Sequence, residues 1–161
     1  MAVDYPHLLR KLVTMGTSVS WDRPQARQAQ EILAREGIES AVRFWMSLAL
    51  AEPGVEASVE ERVRAWLALP QDTVLSFFDP DPEQDVRPLL SRMEAPTLVT
   101  CGTADRASSV DDARTITAGI RGAQLYEFVG RMHIPAITAT EEFCDVLRQF
   151  VRQGSLGHRA R

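Results

Sequence analysis

Pro96-Thr97-Leu98-Val99-Thr100-Cys101 is the stretch that most restricts what this chain can become. It is a continuous, uncharged, largely apolar run that ends at Gly102, without the alternation of a half-exposed strand. Such a run suits a strand buried on both faces. A strand of that kind needs helices above and below it, and the flanking sequence supplies them. Gly102 to Ser108 reads as a loop, and Ser109-Val110-Asp111-Asp112 opens a helix lasting to about Gly119. Ala123 to Val129 is a further strand, closed by Gly130. Thr140 is expected to cap a last helix in which Phe143, Val146, Leu147, Phe150 and Val151 form an apolar stripe, with Gly154 as its stop.

A third strand candidate lies near the start. Lys11 to Gly16 is a short apolar run ended by glycine. Strands separated by helices imply parallel pairing through crossovers. The expected fold class is therefore α/β, with about three parallel strands and flanking helices.

Nearly 80 residues separate the first strand from the second, and they read as helical. Asp22 precedes Arg23-Pro24 as an N-cap for a helix to Glu36 that Gly37 stops. A second helix spans about Glu39 to Leu50, with Val42, Trp45 and Met46 on one face. Ser58 and Glu61 have capping-box spacing ahead of a stripe made by Val59, Val63, Trp66 and Leu67. A helical turn over Thr73 to Phe78, a polar loop over Asp79 to Asp85 and a brief helix over Val86 to Met93 complete the insertion. This is too much helix for a crossover and suggests a cap. The expected divisions are 1–20 for the first strand and its flanks, 21–94 for the helical cap, 95–154 for the core and 155–161 for a flexible tail.

Composition narrows the function classes. The formal charge is −4, whereas a nucleic-acid binder normally carries a basic face. No apolar run approaches the roughly 20 residues of a membrane span, and the first residues, with Asp4 and His7, lack the apolar core of a signal peptide. No nucleic acid or membrane partner is expected, and the expected location is cytoplasmic. Cys101 and Cys144 lie far apart, and His7, His133 and His158 have no metal-ligand spacing. Two reduced core thiols are expected, and no metal.

The order of elements in the second half carries a resemblance. A strand leads into Gly102-Thr103-Ala104-Asp105, then a helix, a strand, Gly130-Arg131-Met132-His133 and a terminal helix. This is similar to the end of the α/β-hydrolase fold, where P-T-L-V-x-x-G-x-x-D carries the acid and G-x-x-H the histidine. Pro88-Leu89-Leu90 resembles the usual approach to the acid strand, and Asp4-Tyr5-Pro6 with Arg10 to Val13 resembles the step into an earlier one. The resemblance implies a partial α/β-hydrolase fold with Asp105 and His133 as catalytic residues. Asp105 would orient the imidazole and stabilise its cation, and His133 would be the general base. Complete relatives would hydrolyse ester or similar acyl bonds of small molecules by a Ser-His-Asp route, without metal or organic cofactor. The alternative is a truncated, non-catalytic module for binding or self-association. Dehalogenases and acyltransferases share the fold, so the resemblance leaves reaction class open.

The resemblance also implies that the G-x-S-x-G elbow should precede Tyr5-Pro6, so the expectation is an incomplete triad. Gly16-Thr17-Ser18-Val19-Ser20 approaches the motif but runs into Trp21-Asp22-Arg23-Pro24 rather than straight into a helix, so it reads as a loop. Asp22 is a lesser candidate for the acid, since some relatives place it after this strand. Phe44, Trp45, Met46, Trp66, Phe77 and Phe78 could line an apolar pocket, although their spacing already accounts for burial as packing. The uncharged strand Leu12 to Met15 is expected to leave an open edge through which the chain self-associates.

Overall fold

The computed structural model describes residues 2–50, 52–79 and 85–153. Among these, three strands form one parallel sheet in the order β1-β2-β3, with β1 at Leu12–Met15, β2 at Thr97–Gly102 and β3 at Gln124–Phe128. Leu12 is paired with Thr97 and Met15 with Thr100, while Leu98 is paired with Gln124 and Gly102 with Phe128. Every residue of β2 is buried, as its unbroken apolar run requires.

The pleat sends alternate side chains of β2 to opposite layers. Val99 and Cys101 join Leu90, Ala113, Ile116 and Ile120, from α5 (Arg87–Leu90) and the region of α6 (Val110–Gly119). Leu98 joins Phe128, Val146 and Phe150, the last two from α8 (Thr140–Gln153). Each fully buried Phe or Leu here contributes roughly 1.5–3 kcal/mol relative to exposure. Val151, expected in the α8 stripe, is exposed instead. Lys11 reaches from the start of β1 to the carbonyls of Phe150 and Val151, which places its cation at the end of α8.

Between β1 and β2 lie α1 (Pro24–Glu36), α2 (Ile38–Ala49), α3 (Glu56–Leu67), α4 (Gln71–Phe78) and α5. The first four share a core of Val42, Trp45, Met46, Val63, Val74 and Phe78, against which Ala107, Ile134 and Ile137 also pack. The helical region thus rests on the loops that follow β2 and β3.

Several helix ends differ from the sequence expectation. Ser109 does cap α6, in a box completed by Asp112. Asp22 caps nothing, because Arg23 occupies the N-cap of α1 and the Asp22 carboxylate pairs with Arg27 at 2.6 Å. Ser58 lies inside α3, which begins at Glu56 two residues earlier, and the Glu56 carboxylate accepts from the Gly54 amide instead. Leu67 is exposed at the far end of that helix. Thr140 donates back to the carbonyls of Ala136 and Ile137, because the short helix α7 (Pro135–Thr138) precedes it. Cys101 is buried but Cys144 only partly, and both thiols are free. The expected stop at Gly154, the tail at 155–161 and the centre of the polar loop fall outside the described residues.

Candidate active site

Asp105 sits three residues beyond β2, and its amide donates to the Gly102 carbonyl at 3.2 Å. The turn folds its carboxylate inward, where the side chain is 1% exposed. Oδ1 accepts from the amides of Ala107 at 2.7 Å and Ser108 at 3.0 Å. Oδ2 accepts from the Ser108 hydroxyl at 2.6 Å and faces His133 Nδ1 at 2.8 Å. Burial pushes this carboxyl up, but the hydrogen bond and charge of His133, together with Ser108, outweigh it and hold the pKa below its ordinary value. An ionised carboxylate only accepts, so the proton between them belongs to Nδ1.

His133 follows β3 in a loop held at several points. Its own amide donates to the Ala49 carbonyl at 3.2 Å, at the end of α2. The Glu52 carboxylate accepts from the Met132 amide at 2.6 Å and pairs with Arg131 at 3.3 Å. Two glycines let the loop come this close. A Cβ on Gly102 would stand 2.1 Å from the carbonyl oxygens of Arg131 and Met132, and one on Gly16 would stand 2.5 Å from His133 Nδ1. Gly16 also has φ of +55°, which glycine adopts without strain.

The imidazole opens onto a cavity of about 560 Å³. Trp21, Trp45, Met46, Trp66 and Phe77 supply apolar wall, and Ser18, Arg23 and Arg62 supply polar groups. The rings pack edge to face, with Trp21 to Phe77 at 4.9 Å and Trp66 to Phe77 at 4.7 Å between centroids.

No protein-family model matches the chain. A pyrrolizixenacetamide deacetylase from Xenorhabdus hominickii is 28% identical over 165 residues, covering 94% of this chain and 59% of the deacetylase. A pimeloyl-[acyl-carrier protein] methyl ester esterase from Vibrio campbellii is 24% identical, covering 93% of this chain and 64% of the esterase. Among solved structures, a thermophilic esterase from Thermogutta terrifontis superposes with a TM-score of 0.77 at 22% identity, over 94% of this chain and 59% of that one. The chain carries a partial α/β-hydrolase fold. It spans about three fifths of the length of each of these proteins.

Within this hydrolase fold, the structure brings Asp105 and His133 together and leaves the other candidates apart. Asp22 is largely exposed and turned to Arg27. Ser18 lines the cavity, but its hydroxyl makes no hydrogen bond, to His133 or to any other described residue. Gly16 to Arg23 intervene between β1 and α1, so the segment is not a strand–turn–helix elbow. The apolar pocket candidates divide: Trp45, Met46, Trp66 and Phe77 line the cavity, whereas Phe44 and Phe78 pack among the helices. Trp21, Arg23 and Glu52 were not anticipated. The first two had a signal, since an extended segment alternates its side chains and Asp22 points outward between them. Glu52 had none, because its partner lies 80 residues away.

Proposed function

We propose that this chain supplies the acid and base of an ester- or acyl-hydrolysing site. Asp105 holds His133 in the Nδ1–H tautomer, and Nε2 takes the proton from an attacking hydroxyl. The carboxylate then faces an imidazolium and stabilises it. As the hydroxyl oxygen bonds to the acyl carbon, the same proton passes from Nε2 to the leaving group. The observation that carries this reading is the 2.8 Å contact between His133 Nδ1 and a carboxylate whose remaining acceptor positions are filled. The esterase and deacetylase relatives support it. The chain contains no G-x-S-x-G sequence, so the nucleophile and oxyanion donors belong to a part of the site outside these residues, and the triad here is incomplete. Residues 21–94 act as the cap over a small-molecule ester, a role supported by the aromatic cavity wall. Two free thiols favour a cytoplasmic setting. No helix among the described residues is long and apolar enough to cross a membrane.

Nitrogen-15 NMR of the His133 ring tests the dyad. The expected result is an Nδ1–H tautomer that Asp105→Ala abolishes, and an Nε2–H tautomer in the parent chain would sink the proposal. Hydrolysis of p-nitrophenyl acetate by this chain is expected to match that of His133→Ala. Robust turnover lost in Ser18→Ala would restore Ser18 as nucleophile.

A second reading, a binding or self-associating module, is favoured by the position of β1, which pairs with β2 and lies at the end of the sheet order. Light scattering over a dilution series is expected to show dimers or larger species joined along that edge. A stable 18.0 kDa monomer would exclude it.

A further inference from the structure

Five buried side-chain polar atoms among the described residues have no hydrogen-bond partner. Three of them, Ser18 Oγ, Trp21 Nε1 and Arg23 Nε, fall within six residues of chain, and all three residues line the cavity that His133 faces. Buried polar groups are normally paired, so such a concentration calls for an explanation.

Arg23 is the centre of the group. Its Nη1 donates to the Ala107 carbonyl, and its guanidinium stands 5.2 Å from the Trp21 ring and 5.9 Å from the Trp45 ring. Among the described residues no other hydrogen bond engages its five N–H donors, and no carboxylate lies within ion-pair distance. Asp105 is near enough to favour the cation, but both its oxygens are taken by Ala107, Ser108 and His133. Burial lowers the Arg23 pKa, against the pull of Asp112 and Asp105. A guanidinium remains charged at neutral pH despite such burial. The ring faces fix its plane, so the unused fork is held in place before any ligand arrives.

We propose that Arg23, clasped by Trp21 and Trp45, recognises a carboxylate on the substrate. Resting on the hydrolytic reading of this cavity, the inference makes the preferred substrates half-esters, or other acyl compounds with a free carboxylate at one end. A carboxylate matches the planar fork in shape and charge. The aromatic wall takes the methylene chain between the carboxylate and the ester.

The protein carries its own reporter, because all three of its tryptophans line this cavity. Intrinsic fluorescence is titrated with monomethyl adipate, with dimethyl adipate and with methyl 6-aminohexanoate, which are anionic, neutral and cationic. The monoester is expected to give a saturable change, with affinity about tenfold or more above the other two, as a charge-assisted pair implies. Arg23→Gln should bring the monoester down to the diester's level, and Arg23→Lys should retain part of the preference. Circular dichroism establishes that each variant is folded. If Arg23→Gln does not fold, Arg23→Lys and the ligand comparison on the parent chain decide. Equal or tighter binding of the diester, or no saturable response to the monoester, overturns the proposal. So does a preference that survives Arg23→Gln and disappears in Arg62→Gln. The titration reads binding alone and the His133 tautomer reads the dyad alone, so either reading can fail without the other.

Discussion

The Asp105–His133 dyad and the segment that follows β1 treat their polar groups in opposite ways. Around Asp105 and His133, four donors converge on one buried carboxylate, and Glu52 and Ala49 tie down the loop that carries the imidazole. In the segment that follows β1, residues 18–23 leave a buried hydroxyl, an indole N–H and a guanidinium N–H without partners among the described residues. A saturated network has one geometry, because any displacement strands a buried group. An unsaturated one carries no such constraint. The contrast separates the part of the site that holds an internal proton from a segment whose buried donors the fold leaves unpaired.

The largest expected effect comes from the saturated side. Asp105→Ala strands two amides, a hydroxyl and the imidazole N–H, and should cost about 3–5 kcal/mol in urea denaturation. The same carboxylate gives the stability a pH dependence. Its folded pKa lies below its unfolded value of about 3.9, so its contribution is present above that pH and is lost as pH falls through the folded pKa. Asp105→Asn should therefore flatten the acid limb of the stability profile below about pH 4. An unchanged limb would mean that the carboxylate is no better held than in the unfolded chain.

A smaller effect tests the scaffold. Gly102→Ala places a methyl against two carbonyl oxygens that belong to backbone and cannot rotate away. We expect a loss of about 3 kcal/mol and a shifted His133 ring resonance. Gly122→Ala is the comparison, since an added Cβ there meets nothing within 4 Å and faces only the cost of a positive φ. Equal losses would show that the approach of β2 to the histidine loop is softer than the geometry requires.

The smallest effect belongs to the unsaturated side. Ser18→Ala removes a hydroxyl that makes no internal bond, so thermal unfolding should place its stability within about 0.5 kcal/mol of the parent. A loss as large as that of Asp105→Ala would erase the contrast between the two regions.

The local grammar of the chain was readable where one element settles its own conformation. The uncharged run from Pro96, the Ser109-Val110-Asp111-Asp112 opening and the glycine after Glu36 all mark elements that the structure contains. Reading failed where neighbouring signals competed. Asp22 and Ser58 have the right chemistry for caps, but Pro24 already sits at the first position of α1, and α3 starts two residues before Ser58. The short α7 had no signal apart from Pro135, since helices of four residues are set by the chain around them.

By itself the sequence determined a parallel sheet with one strand buried on both faces, and a carboxylate and an imidazole each placed just beyond a strand. These follow from runs and spacings within about ten residues, where backbone preference and periodicity act directly. Only the tertiary structure decided that Trp21 and Arg23 face the cavity while Asp22 faces solvent. It alone joined Glu52 to Met132 across 80 residues and gave Gly16 and Gly102 their tight contacts with the histidine loop. Those pairings depend on how the helical region settles against the sheet, and no local pattern records a contact between residues so far apart in the chain.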